Sequence, residues 1–277
     1  MYMYVYVYVY KGGIMKKIIT LANRRGGAGK TATAHAIGAG LKRMGNRVLF
    51  IDLDSQCNLT YDMGVMGNSK GTMELLEGTA GVDEILITTL AQGDILPGTP
   101  NLSRADLTIT QKGKEYRLKE AIEPLKKKYD YIIIDTPPAL GITSINAFTA
   151  STDVIIPAQA EVHSIQGIIL LNSVIETVKK YTNPTLQVTG ILLTRYTRRA
   201  ILSQKMAQDL EILAHQMNTR LFKTPIRECI AVKEAQACQR DIFNYARNSN
   251  AGKDYTALIK ELLDTLEYQN GTQGKEI

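Results

Sequence analysis

The chain has 277 residues, 44% hydrophobic and 22% charged, with a formal net charge of +6. That is ordinary for a globular protein with a sizeable core, and a charge this small implies a nucleic-acid partner only if basic residues share a face. Cys57, Cys229 and Cys238 show no CxxC or other metal-ligand spacing, and no apolar run approaches the roughly 20 residues of a membrane span, so the expected setting is a reducing cytosol.

In chain order, MYMYVYVYVY alternates Tyr with Val or Met and would be apolar on both faces of a strand, which at a terminus invites edge-to-edge association. Lys11-Gly12-Gly13-Ile14 can be encoded by a purine-rich stretch resembling a bacterial ribosome-binding site. Residues 1–14 are therefore read as translated upstream sequence, with the native start at Met15. From there strand and helix alternate. Residues 17–22 form a short apolar strand ending in a glycine-rich turn, residues 30–44 have helical apolar spacing closed by Gly45, and residues 47–53 form a second buried strand. A glycine-rich, less regular stretch runs to about Gly81, then a helix or turn at 82–90 and a short strand at 94–96. Residues 114–128 read as a charged amphipathic helix. Residues 131–135, 154–157 and 190–194 read as strands, and 165–181, 202–217 and 255–266 as helices. Short Val/Ile/Leu runs separated by helices predict a single α/β domain over residues 15–268, a mostly parallel twisted sheet with helices on both faces, and a polar tail at 269–277.

The segment Asn23-Arg24-Arg25-Gly26-Gly27-Ala28-Gly29-Lys30-Thr31, followed by Ala32, lies between the first strand and the first helix, the context of a P-loop. Gly26, Gly27 and Gly29 can take positive φ and let phosphate oxygens approach the backbone. Successive N–H groups and the start of the helix then form an anion site, where Lys30 contacts the β- and γ-phosphates and Thr31 gives its hydroxyl to Mg2+. Arg24 stands where the GxxxxGK[ST] pattern has its first glycine. Asp135 ends the strand YIIID before Thr136-Pro137-Pro138, where a magnesium-organising carboxylate belongs. Asp52 and Asp54 end the strand RVLFIDLD; alternation puts both on one face, and one or both can orient a water toward the γ-phosphate.

Together these motifs resemble the ParA/MinD family of deviant Walker-A ATPases, whose loop reads KGGxGKT and whose next strand ends in DxDxQxN. The matching segments are Arg25–Thr31 and Asp52-Leu53-Asp54-Ser55-Gln56-Cys57-Asn58, joined by DTPP at 135–138 and by Phe222-Lys223-Thr224-Pro225-Ile226-Arg227. The resemblance implies ATP and Mg2+ as cofactors and a face-to-face dimer with both nucleotides in the interface. Each subunit's early loop cation reaches the phosphates held by the other. Arg25 occupies that position here, keeping the charge and offering a bidentate fork, and Arg24 is the alternative. The resemblance further implies that Asp54 positions the attacking water, that Asp52 supports the loop and metal shell, and that Asp135 holds Mg2+ through water. It places Thr224, Pro225, Ile226 and Arg227 along the adenine. Cys57 stands where relatives usually have glycine.

The polar end after Glu267 argues against a membrane-inserting helix, and no cysteine pair suits an iron–sulfur relative. The P-loop starts too soon after Met15 for an operator-binding module. The expectation is thus a short ParA type: an ATP-loaded dimer binding DNA without sequence preference, with a ParB-like centromere-binding partner, in the nucleoid-associated cytoplasm. The alternative is a MinD-like or cargo-positioning ATPase that does not bind DNA. Arg195, Arg198, Arg199, Arg220, Lys223, Arg227 and Lys233 are the candidate phosphate contacts.

Overall fold

A computed structural model describes residues 17–89, 91–197 and 200–273. Residues 1–14, read as upstream sequence, and Arg198 and Arg199, read as DNA contacts, lie outside the described residues. The chain runs β1 (Lys17–Leu21), α1 (Lys30–Arg43), β2 (Val48–Asp52), α2 (Asn58–Asp62), α3 (Thr72–Glu77), α4 (Val82–Ile85), β3 (Ile87–Thr89), β4 (Gly93–Leu96) and α5 (Ala105–Thr108). It continues α6 (Arg117–Ile122), β5 (Tyr131–Asp135), α7 (Ile142–Ala150), β6 (Asp153–Gln159), α8 (Val162–Tyr181), β7 (Gln187–Thr194), α9 (Ile201–Gln216), α10 (Ile230–Ala237), α11 (Ile242–Ala246) and α12 (Asn250–Gln273).

Among the described residues seven strands form one sheet, in the order β3-β4-β2-β5-β1-β6-β7. All neighbours are parallel except the edge pair β3–β4. The isoleucine-rich strands β1, β2 and β5 are buried almost throughout, as strands covered on both faces must be. Helices α1, α10, α11 and α12 pack on one side around Phe50, Ile133 and Leu258; α3, α6 and α7 cover Leu49, Ile51 and Ile134 on the other. A Cβ on Gly38 would lie 2.2 Å from the Phe50 ring, so glycine lets α1 sit close against β2.

The expected α/β layout is present, with local differences. The helix expected at 114–128 is broken into a 3-10 turn, α6 and a second 3-10 turn at Glu123–Lys127, because Pro124 has no N–H to continue the ladder. The stretch expected to be irregular before Gly81 contains α2 and α3, both too short for periodicity to expose. The helix placed at 255–266 extends from Asn250 to Gln273, into the segment read as a tail. Among the described residues no helix is long and apolar enough to cross a membrane.

Candidate nucleotide site

Strand register builds the site. Leu21 and Asp52 flank Asp135 on adjacent strands, so the phosphate loop and two carboxylates converge at one end of the sheet. Between β1 and α1 the chain turns through Gly27 (φ 75°) and Gly29 (φ 86°), where glycine avoids a left-handed penalty. Gly26, expected to share that geometry, has no positive φ; it contributes openness, since a Cβ there or at Gly27 would meet nothing within 4 Å.

Three side chains that sequence reading missed brace this loop. Asn23 Oδ1 accepts from Arg25 N at 2.9 Å while its Nδ2 donates to Pro157 O at 2.6 Å. Gln159 Nε2 donates to Gly27 O at 2.6 Å, and Thr194 Oγ1 donates to Ala28 O at 2.8 Å. They sit at the ends of β1, β6 and β7, so the sheet shapes the cradle before any ligand arrives. Only their strand-end positions signalled this in the sequence.

Lys30 and Thr31 open α1. Lys30 is buried at 6% exposure and its Nζ donates to Arg25 O at 3.3 Å. Burial lowers its pKa, opposed by the charges of Asp135 and Asp54. Thr31 Oγ1 donates to Asp135 Oδ2 at 2.6 Å, while Asp135 Oδ1 is buried with no hydrogen-bond partner. Burial, then nearby Asp52, pushes the Asp135 carboxyl well above its ordinary range, against the Thr31 hydrogen bond and Lys30. A hydroxyl and a half-satisfied buried carboxylate, both hard oxygen donors beside an open cradle, fit a magnesium ion with a triphosphate.

Asp52 is placed differently from a metal ligand. Its Oδ1 accepts from Asp54 N at 3.0 Å, and its Oδ2 accepts from Thr60 N at 2.9 Å and Thr60 Oγ1 at 2.7 Å. Both oxygens are engaged in fixing the loop from β2 to α2. Burial raises its pKa to about 6. Asp54 lies beyond the end of β2, 7% exposed, with Oδ1 accepting from Gln56 N at 3.0 Å. Cys57 follows with φ 53°, in the left-handed region that favours glycine. Burial and the two aspartates push its thiol up to about 12, which keeps it a protonated, unreactive side chain.

Arg24 is exposed and Arg25 half-buried at the rim. The Arg25 guanidinium pairs with Glu161 in the turn between β6 and α8, and its Nη1 is buried without a partner. The expected base-lining segment is beside the same end of the sheet: Ile226 N donates to Leu193 O at 2.8 Å, and Tyr196 N donates to Ile226 O at 2.9 Å. Thr224 N donates to Glu261 at 3.0 Å, tying the segment to α12, while Pro225 lies half-buried between them.

The candidate DNA contacts divide. Arg195 is held by Glu228 at 2.6 and 3.2 Å, and Arg227 by Asp254 through two guanidinium nitrogens, as close as 2.6 Å. These two forks are satisfied by carboxylates of the same chain. Arg220 reaches Thr265 Oγ1 on α12 at 3.3 Å, and Lys223 and Lys233 are exposed.

Residues 16–188 match the family described as an AAA domain. The sporulation initiation inhibitor protein Soj of Bacillus subtilis is 36% identical over 255 residues, covering 90% of this chain and 98% of Soj. This chain belongs to the ParA/MinD family of P-loop ATPases. The chromosome partitioning protein ParA of Myxococcus xanthus is 34% identical over 89% of this chain and 88% of its own. Among solved structures, cobyrinic acid a,c-diamide synthase of Mycobacterium smegmatis with bound ADP and magnesium superposes with a TM-score of 0.79 at 30% identity, covering 91% of this chain and 96% of that one. A putative plasmid partition protein of Borrelia burgdorferi bound to AMPPNP gives 0.74 at 26%, covering 92% and 99%. These relatives thus share this chain's fold.

Proposed function

We propose that this protein is a partition ATPase of the ParA type. Mg-ATP joins two copies face to face, the dimer binds DNA without sequence preference, and a ParB-like centromere-binding partner stimulates hydrolysis, which separates the dimer and frees it from DNA. The cargo is a plasmid, a chromosome origin or a mobile element, and the working place is the nucleoid. The near full-length likeness to Soj and ParA, which their names place in sporulation control and chromosome partitioning, supports this choice within the family.

One observation carries the dimer reading. The cations of the loop differ in reach: Lys30 is buried inside it, while Arg25 and Arg24 lie at its rim, half-buried and exposed. A single bound triphosphate is served by the inner lysine, and the outer arginine suits phosphates held by a second copy. Arg24 through Ala32 would cradle the phosphates, Thr31 and Asp135 would hold the magnesium ion with Asp52 supporting their shell, and residues 224–227 would line the base. Magnesium, when bound, neutralises charge developing on the transferred phosphoryl group. Asp54 orients the attacking water, and Arg25 neutralises phosphate charge in trans, as an arginine finger does. Tighter binding of the γ-phosphate by two subunits than by one supplies the differential affinity a switch requires.

The direct test is binding to random-sequence duplex at low salt with ATP, ADP or no nucleotide, alongside ATP turnover. Binding only with ATP is expected. Equal binding in all three states would overturn the nucleotide switch, and no binding in any would overturn the partition reading and favour a cargo-positioning or membrane-associated ATPase.

A further inference from the structure

Away from the phosphate loop, three elements of the site meet at one buried amide. Gln92, in the hairpin between β3 and β4, is 7% exposed. Its Nε2 donates to Asp62 O at the end of α2 and to Gln239 O just beyond α10, each at 3.0 Å. Its Oε1 bonds His35 Nε2 on α1, and its backbone N donates to Thr89 Oγ1 at 3.0 Å. Both amide donors and the acceptor are therefore used. With Gln92 Nε2 committed to carbonyls, the proton in the His35 contact belongs to the imidazole, and burial lowers the His35 pKa. A second tie runs parallel: Gln236 Nε2 on α10 donates to the Asp62 carboxylate at 2.7 Å.

Helix α2 has five residues and cannot sustain itself by its own hydrogen bonds. Its first half is held by Asp52, through Thr60, and its end by Gln92 and Gln236. The chain entering α2 is the Asp54 loop; α1 starts at Lys30 and Thr31; α10 follows the 224–227 segment. A wholly apolar contact could slide, whereas directional bonds from one amide to three elements fix their register. We propose that Gln92 is a positioning residue for hydrolysis, locking α2 against α1 and α10 so that Asp54 is held in place opposite the phosphate loop. This role rests on the reading of Asp54 as the residue that orients the attacking water.

Gln92→Glu removes both N–H donors at nearly constant shape and leaves an acceptor for His35; Gln92→Leu removes every polar bond of the side chain. Two measurements on the full chain decide. Amide hydrogen exchange of residues 58–63 is expected to rise about ten-fold in either variant, with β1 and α1 unchanged. ATP turnover is expected to fall about ten- to a hundred-fold, with the KM for ATP within about two-fold of wild type. Exchange at α2 equal to wild type overturns the role, as does faster exchange with unchanged kcat, or a rise spread over β1 and α1 that marks general destabilisation. A wild-type protein with no ATP turnover would instead count against the ATPase assignment of Asp54, while the exchange result would still report whether Gln92 holds α2.

Discussion

Thr31 and Asp135 stand 104 positions apart, yet the Thr31 hydroxyl donates to Asp135 Oδ2 at 2.6 Å, joining the first turn of α1 to the last residue of β5. The other oxygen of Asp135 has no partner. One buried carboxylate is thereby half-satisfied by the protein and half reserved.

This pairing predicts that Thr31→Val lowers magnesium-dependent ATP turnover by about 100-fold or more. It also predicts lower stability of the ligand-free protein by about 1–3 kcal/mol, because both Asp135 oxygens would then be buried without a donor. Turnover titrated against magnesium and a thermal melt check the two effects. A variant with normal turnover would remove Thr31 from the metal shell.

Asp54→Ala is expected to reduce turnover by about 10²- to 10⁴-fold while nucleotide affinity stays within about three-fold, since Asp54 is assigned to the water and not to the phosphates. Single-turnover kinetics and equilibrium binding of ATP separate these outcomes. Normal turnover would refute the assignment.

The sheet, the phosphate loop and the two strand-end aspartates were legible because runs such as YIIID and RVLFID need only local pattern to be recognised. The braces Asn23, Gln159 and Thr194 were not, since their partners Pro157, Gly27 and Ala28 come from other strands or loops and depend on sheet order. Asp52 shows the same limit. Alternation put it beside Asp54, but its capture by Thr60 requires the α2 turn, which five residues cannot announce. The pairing of Arg195 with Glu228 and of Arg227 with Asp254 was illegible for a related reason: it depends on the tertiary fold, and Asp254 lies 27 positions from Arg227 on α12.

Cys57 holds a left-handed backbone at φ 53°. Cys57→Gly should raise stability by about 0.5–1 kcal/mol, the relief of a Cβ clash less the entropy of a glycine in the unfolded chain. Denaturant unfolding with unchanged m-value checks it; a loss of stability would mean the thiol packs better than its conformation costs.

DNA affinity should follow the lysines. Lys223→Ala and Lys233→Ala are each expected to reduce the slope of log K against log salt by about 0.9, as one released phosphate contact does. Arg195→Ala and Arg227→Ala should change that slope less, because their guanidinium groups already bind Glu228 and Asp254. Fluorescence anisotropy across a salt series distinguishes the two sets.

Burial raises the Asp62 carboxyl to about 6, against the Gln236 hydrogen bond. A carboxyl with a folded pKa above its unfolded value contributes stability below about pH 4 and loses it as pH rises through about 6. Asp62→Asn abolishes this dependence, so its stability relative to wild type should rise between about pH 4 and pH 6, by up to about 3 kcal/mol, and level off above. Thermal melts of both proteins across that range give the answer, and a constant difference would show that Asp62 does not titrate there.

The most direct test of the account is sedimentation of Asp54→Ala protein with saturating Mg-ATP, with ADP and without nucleotide. A dimer with Mg-ATP alone is the predicted result. A monomer in all three conditions would contradict the nucleotide-bridged switch at its foundation.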